Sequence, residues 1–451
     1  MIKDLTAGKP QSVLWKFTIP MFISVVFQQM YNIADSVIAG KFAGEDALAA
    51  VGASYPITMI FMAVAVGSNI GCAVVISQFF GAKEYDKMKT AVYTTLIATT
   101  VLSAVLTVAG LAGSRGLMQM IKTPENIFAE GDLYLRIYIG GFLFLYLYNV
   151  CTGIFTSLGD SRTPLYFLIG SSLGNIVLDY WFVAGLHWGV AGVAWATFLA
   201  QGIACVLALI TMTARLRTVE TKKKAVLFSL DMLKRIGMIA VPSILQQSFI
   251  SVGNIFVQGL INSFGSSVIA GYSAAVKLNT FTITSFTTLG NGVSSFTAQN
   301  IGAGKPERVR QGRNAGVKLA FVIAVPFIAA FFGFGPFMLK MFMNEESAVA
   351  LKTGVDFLRV VSPFYLVIAV KLVTDGVLRG TGAMKAFMAA TFSDLILRVA
   401  LAFALARMMG TMGVWLSWPI GWMVGTGVSV YYYKKILHPV PQIRIEIARK
   451  K

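Results

Sequence analysis

The sequence predicts an all-α integral membrane protein with twelve transmembrane helices, arranged as two six-helix lobes related by a pseudo-two-fold axis along the membrane normal. Three observations carry this. The chain has 451 residues, of which 56% are hydrophobic and only 13% charged, too little charge to coat a soluble protein of that size. Apolar runs of about twenty residues, the length that crosses a bilayer as a helix, recur from one end to the other. The second half of the chain repeats the first.

In chain order the runs fall at 14–40, 54–80, 90–112, 133–157, 164–186 and 189–214, then at 236–262, 268–300, 314–340, 354–379, 386–408 and 411–434. They are too long for barrel strands and lack the alternation of such strands. Met1–Pro10 is short and polar, and the run after it is too long for a signal peptide. This divides the chain into an N-lobe over 1–214, a basic linker over 215–235, a C-lobe over 236–435 and a basic tail over 436–451.

Lys and Arg fix the expected orientation. They crowd alternate connections: Lys83, Lys87 and Lys89; Arg215, Arg217 and Lys222–Lys224; Lys305, Arg308, Arg310 and Arg313; and the tail. The intervening links at 187–188 and 263–267 have none. The positive-inside rule then places both termini in the cytoplasm. The formal net charge of +18 is therefore a membrane signal. It does not indicate a nucleic-acid partner, because the basic residues sit in short loops between apolar spans.

Composition also removes catalytic classes. Cys72, Cys151 and Cys205 all lie inside apolar runs, and His187 and His438 are the two histidines, which leaves no zinc set and no disulfide framework. A phosphate-binding G-x-x-x-x-G-K-[ST] loop is absent, so no ATP chemistry is expected. Neither an enzyme nor a resident cofactor is predicted.

The repeat has an offset of about 222 residues. Gln78, Gly81, Ala82 and Lys83 return as Gln299, Gly302, Ala303 and Lys305. Pro20 and Asn32 return as Pro242 and Asn254, Phe42 as Phe264, Gly153 and Gly159 as Gly376 and Gly382, and Gly192-Val193 as Gly413-Val414. Matches in one order at one offset mark a duplication. Six spans per copy give both lobes the same orientation, and two such lobes around a cleft can rock to expose it to each side in turn.

Charge inside the bilayer is costly, so each ionisable group there is a functional candidate. They are Asp35, Asp179, Lys277, Lys371, Asp375, Asp394 and Arg398. Asp35, Asp179 and Thr197 fall roughly 8–12 Å below the outer surface on spans one, five and six. Asn175 shares a helix face with Asp179, four residues on. Nearby carboxylates in low dielectric resist joint ionisation, so this set fits a bound H⁺. It equally fits Na⁺ held by Asp35 and Asp179. The repeat puts Val257 at the counterpart of Asp35 and Trp418 near that of Thr197, so the site occurs once. Asp394 and Arg398, and likewise Lys371 and Asp375, stand four apart and are expected to pair. Pro20 is a kink and a candidate hinge on the span bearing Asp35. Gln29, Asn32, Gln246, Gln247, Asn254 and Lys277 are candidates for lining the cleft.

These residues resemble a known family. Pro20 with Asp35 fifteen residues on, the Q-x-x-G-A motifs after spans two and eight, and Leu378-Arg379-Gly380-x-Gly382 after span ten resemble the multidrug and toxic compound extrusion (MATE) transporters. The resemblance runs from about residue 10 to about residue 435. Asp35, Asn175, Asp179 and Thr197 match the N-lobe cation site of its DinF-like branch, in which the first helix bends when its aspartate is protonated. The C-lobe carboxylate of the NorM-like branch is not evident, since Gln246 and Gln247 occupy that region. The resemblance implies a monomeric antiporter in the plasma membrane of a prokaryote, exporting drug-like organic cations or amphiphiles against H⁺ or Na⁺. A flippase for lipid-linked precursors is the alternative within the superfamily, and an intramembrane enzyme the alternative from another class.

Overall fold

The computed structural model describes residues 2–38, 42, 45–221, 223–343 and 347–437, with the side chains of 34–37 and 45–48 outside that description. Lys222, His438 and the rest of the tail fall outside it, as does the side chain of Asp35. The described chain is helical without a strand. In lipid this is the economical solution, since a helix satisfies its own backbone groups where no water can.

The N-lobe consists of α1 (Pro10–Ile38), α2 (Glu45–Gly81), α3 (Tyr85–Met120), α4 (Glu125–Gly140), α5 (Phe142–Ser157), α6 (Arg162–Asp179) and α7 (Gly189–Arg217). The C-lobe follows with α8 (Leu230–Asn262), α9 (Ser266–Gly302), α10 (Pro306–Lys340), α11 (Ala348–Val361), α12 (Tyr365–Gly380), α13 (Met384–Met409) and α14 (Thr411–Leu437). Helices α4 and α5 form one span bent by 48° at Gly141. Its counterpart, α11 and α12, is interrupted by a 3-10 turn over Ser362–Phe364, where Pro363 cannot donate its backbone bond. Twelve spans result, six in each lobe. The interlobe connection is shorter than the expected 215–235, because α7 continues to Arg217 and α8 starts at Leu230 behind the N-cap Ser229, whose hydroxyl accepts from the Met232 amide.

Nine of the described helices are long and apolar enough to cross a bilayer on composition alone, ten when the bent pair counts as one. The two that complete the twelve have polar or aromatic sequences. Helix α9 ends in Asn291–Asn300, rich in Ser, Thr, Asn and Gln and almost wholly buried. It packs on α1, α2, α10, α11 and α12 and so has little lipid to face.

The lobes join at the end of the bundle where the basic loops lie. Helix α2 packs along α8, and α1 along α9. The two Q-x-x-G motifs cross each other there. A Cβ on Gly81 would stand 2.0 Å from the Gln299 carbonyl oxygen, and one on Gly302 would stand 2.0 Å from that of Gln78, so only glycine allows the backbones this close. Each glutamine then reaches into the other lobe. Gln78 Nε2 donates to the Gly380 carbonyl at 3.1 Å and Gln299 Nε2 to that of Ser157 at 2.8 Å. The segment before α1 crosses both lobes: Lys3 donates its amide to the Leu158 carbonyl at 3.0 Å, and Leu5 donates its own to Gln299 Oε1 at 2.9 Å. Asn300 and Lys305 donate back to the carbonyls of Leu5 and Thr6. Farther in, Trp15 Nε1 donates to the Ala315 carbonyl at 3.0 Å. All these contacts fall in the halves of the helices nearest the basic end. Toward the other end α1 and α8 carry exposed side chains, among them Met30, Ile33, Ile255 and Phe256.

Candidate functional site

Helix α6 starts at the basic end and carries Asn175 and Asp179 on one face near its other end. Asp179 is fully enclosed and Asn175 is 3% exposed. Asn175 Nδ2 donates to Asp179 Oδ2 at 3.0 Å, the contact expected from their spacing. The amide's other end faces α1, where the Tyr31 hydroxyl donates to Asn175 Oδ1. A chain of hydrogen bonds thus runs from α1 to the carboxylate of α6. The α-helical winding ends at Asp179 and gives way to π-helix over Tyr180–Gly185, a local widening that recurs at functional sites.

Tyr31 was not among the residues singled out in the sequence. The signal was present: it precedes Asp35 by four and therefore shares its face of α1. The Asp35 side chain lies outside the described residues, so its partners are not assigned. Thr197, on α7, lines a small cavity of about 10 Å³ with Tyr134, Tyr138, Phe198 and Gln201, about the room one water needs. Neither Asn175 nor Asp179 borders it. The structure therefore brings α1 and α6 together at Tyr31, Asn175 and Asp179, and places Thr197 in a neighbouring cavity.

The other sequence candidates separate. Pro20 sits inside α1, which remains one helix from Pro10 to Ile38. Ser24 Oγ donates to the Pro20 carbonyl at 3.0 Å. Asn32 Nδ2 donates to Gln29 Oε1 at 3.1 Å on the exposed side of α1. Gln246 is buried with its Oε1 unpartnered, Gln247 is half-buried, and Asn254 is exposed. Lys277 is exposed, its Nζ 5.7 Å from the centroid of the Phe342 ring.

The C-lobe holds a different cluster. Lys371 Nζ donates to Asp375 Oδ2 at 2.8 Å, as the spacing predicts, and Ser429 Oγ donates to Asp375 Oδ1 at 2.5 Å. Asp394 does not pair with Arg398. It turns to Lys371, with Oδ2 3.7 Å from Nζ, because α12 and α14 bring the ammonium group within reach across the helices. Gly421 and Gly425 of α14 make room: a Cβ on Gly425 would stand 2.7 Å from Lys371 Cε, and one on Gly421 would stand 2.8 Å from Asp394 Oδ1. The Arg398 guanidinium lies instead over the Trp418 ring, 4.4 Å from its centroid.

At the basic end Asp160, in the turn between α5 and α6, accepts from Thr163 and from Arg215. Burial pushes its carboxyl up, and lowering contributions that include the Thr163 bonds and the Arg215 charge leave it below the usual carboxylate range.

The sequence profile of the MatE family matches residues 20–181 and again 242–404, the two copies read from the repeat. This chain is a member of the MATE family. A probable multidrug resistance protein of Bacillus subtilis, YpnP, is 29% identical over 438 residues, covering 96% of each chain. A FAD transporter of Shewanella oneidensis is 23% identical over 69% of each chain. Among solved structures, a MOP superfamily transporter from Pyrococcus furiosus superposes with a TM-score of 0.90 over 96% of this chain and 97% of its own, at 24% identity. The MATE protein is thus a multidrug efflux transporter of the membrane by family, and the enzyme reading falls with that membership.

Proposed function

We propose that this MATE protein is a secondary antiporter that exports small organic compounds in exchange for H⁺ or Na⁺. Its coupling site is the acidic region of the N-lobe around Asp35, Asn175 and Asp179, with Tyr31 as the link to α1 and Thr197 in the neighbouring cavity. The observation that carries this is the fully buried Asp179 at the end of the hydrogen-bond chain from Tyr31. An ionised carboxylate can only accept, so Asn175 must present its NH₂ to Asp179 and its carbonyl to Tyr31. A protonated carboxyl can donate. The amide can then turn over, and its NH₂ faces a Tyr31 hydroxyl that was itself donating. Protonation of Asp179 thereby changes how α1 is held to α6, and α1 also lines the interlobe seam.

With the basic end in the cytoplasm by the positive-inside rule, the seam at Gly81, Gly302, Gln78 and Gln299 closes the cytoplasmic side, and the cleft opens outward. Cation entry from outside would discharge cargo, and cation release inside would reset the transporter. One monovalent cation moving through 100 mV supplies roughly 2.3 kcal/mol, about a fiftyfold gradient of cargo. The cargo is a drug-like molecule bearing a cation or an amphiphilic character. The family's FAD transporter, named for a phosphate-bearing cargo, indicates that anionic groups need not be excluded.

Dye accumulation in cells producing Asp35→Asn or Asp179→Asn tests the assignment. Both variants should retain dye like cells without the transporter, while cells with the wild type stay dark. Export at the wild-type rate by both variants would remove the proposed coupling site.

A further inference from the structure

The Arg398 side chain is 6% exposed. Its guanidinium has no hydrogen-bond acceptor and no carboxylate within ion-pair reach among the described residues. Nε is fully enclosed and unpartnered. The terminal nitrogens, equally without partners, are not among the enclosed atoms, so the residual exposure of the residue lies at its tip. Desolvating a guanidinium without a counter-ion is among the costliest arrangements a membrane interior can hold. Position makes it costlier still. Arg398 stands fourteen residues from the basic end of α13 and eleven from the other, roughly 20 Å and 16 Å of helix, beyond snorkelling reach of either headgroup layer.

The surroundings are equally incomplete. Trp418, over whose ring the guanidinium lies, has an unpartnered and enclosed Nε1–H. Its ring is fixed by edge contacts with Phe357 and Trp422. Thr391 Oγ1, about two turns before Arg398 on α13, is also enclosed without a partner. Of the neighbouring carboxylates, Asp375 is committed to Lys371 and Ser429, and Asp394 leans through Oδ2 on Lys371 at 3.7 Å while its Oδ1 is enclosed without a hydrogen-bond partner. Lys371 engages both buried anions of the lobe, Asp375 and Asp394, which leaves the buried Arg379 and Arg398 without a carboxylate. Arg379 donates to Asn291 Oδ1 at 2.9 Å, and Arg398 is the one with no acceptor among the described residues.

We propose that Arg398 and the Trp418 N–H form a receiving site in the C-lobe for a carboxylate group of the transported molecule. A planar guanidinium offers paired donors matched to a planar carboxylate, and the indole N–H adds a third donor at the edge of the ring beneath it. A lipid phosphate is a poor occupant, because both headgroup layers are a half-membrane away. The inference rests on the export reading and narrows its cargo. The N-lobe pocket handles the cation that drives transport, and the C-lobe selects among amphiphiles for those with an acid group. Zwitterionic compounds should then be preferred over their esters.

Rhodamine B carries a free carboxylate, and its ethyl ester is the same organic cation without one. Binding of both to the purified full-length protein in detergent, followed by fluorescence polarisation, isolates the carboxylate. Wild type should bind the acid more tightly than the ester. Arg398→Gln should weaken acid binding by about tenfold and leave the ester within about twofold, the loss of one charge-assisted contact. Arg398→Lys should recover part of it. Trp418→Phe keeps a ring and removes the N–H, and should weaken acid binding by roughly threefold. Equal loss of both dyes in Arg398→Gln, or no loss of either, overturns the proposal. If Arg398→Gln does not fold, an unchanged acid-to-ester ratio in Trp418→Phe overturns it instead. Gradient-driven export of the ester by wild-type proteoliposomes tests the export reading separately. Its failure there would leave the detergent binding result standing.

Discussion

The two lobes are copies of one fold, and their interiors have opposite electrical character. In the N-lobe α6 presents an enclosed carboxylate whose described partner is an amide, tied in turn to a tyrosine of α1. In the C-lobe Lys371 of α12 draws together Asp375 of the same helix and Asp394 of α13, and Arg398 is left over. At the spacing that relates Gly153 to Gly376, Lys371 and Asp375 stand where the N-lobe has Tyr148 and Thr152. At the spacing that relates Pro20 to Pro242, Asp394 and Arg398 stand where it has Ser172 and Ile176. The scaffold was duplicated and the charge was not. A paired network holds helices in place, whereas a fully buried carboxylate held by an amide is poised to take up a cation.

If this division holds, mutation should affect the lobes in different currencies. The largest stability effect belongs to the C-lobe. Lys371→Met strands two enclosed carboxylates and should destabilise the protein by about 3–5 kcal/mol, read as a fall in the thermal unfolding midpoint in detergent. The triple variant Lys371→Met, Asp375→Asn, Asp394→Asn removes charge from all three members and should recover most of the loss. A midpoint unmoved by Lys371→Met would break the comparison.

An intermediate effect lies at the basic end. Asp160 has Ala383 as its C-lobe counterpart by the spacing of Gly159 and Gly382, so the lock on Arg215 is particular to the N-lobe. Asp160→Asn should cost about 2 kcal/mol at neutral pH, the worth of a hydrogen bond to a charged group. The folded-state pKa of Asp160 is lowered, so its stabilisation is fully present above the unfolded value near 3.9 and is lost as pH falls through the folded value. Unfolding midpoints of wild type and Asp160→Asn should therefore converge in acid, and a constant gap would contradict the ion pair.

The smallest stability effect, with a transport effect out of proportion to it, is expected at Tyr31→Phe. Loss of one hydroxyl costs about 1 kcal/mol. Because that hydroxyl joins α1 to the coupling amide, export should slow several-fold while cargo binding stays intact. A variant that exports at the wild-type rate would detach α1 from the mechanism.

Much of the fold was legible because its causes are local. Lipid demands long apolar helices, and the demand is met span by span. The breaks within spans four and ten were legible in principle at Gly140-Gly141 and Pro363 but are drowned by continuous hydropathy. The Asn175–Asp179 and Lys371–Asp375 contacts were legible because each lies within one helix at a spacing of four. The turning of Asp394 toward Lys371 was not, since it depends on how closely α12, α13 and α14 pack around Gly421 and Gly425. The Q-x-x-G repeat announced a duplication. That the two copies cross at Gly81 and Gly302 and bond to opposite lobes is a fact of assembly.

The central claim, that Asp179 couples cation movement to export, is tested most directly in proteoliposomes with separately imposed H⁺ and Na⁺ gradients. Wild type should concentrate rhodamine B ethyl ester under at least one of the two gradients, approaching the roughly fiftyfold limit of one cation per 100 mV. Asp179→Asn should still exchange dye across the membrane without concentrating it under either gradient. Gradient-driven accumulation by Asp179→Asn at the wild-type level would contradict the account.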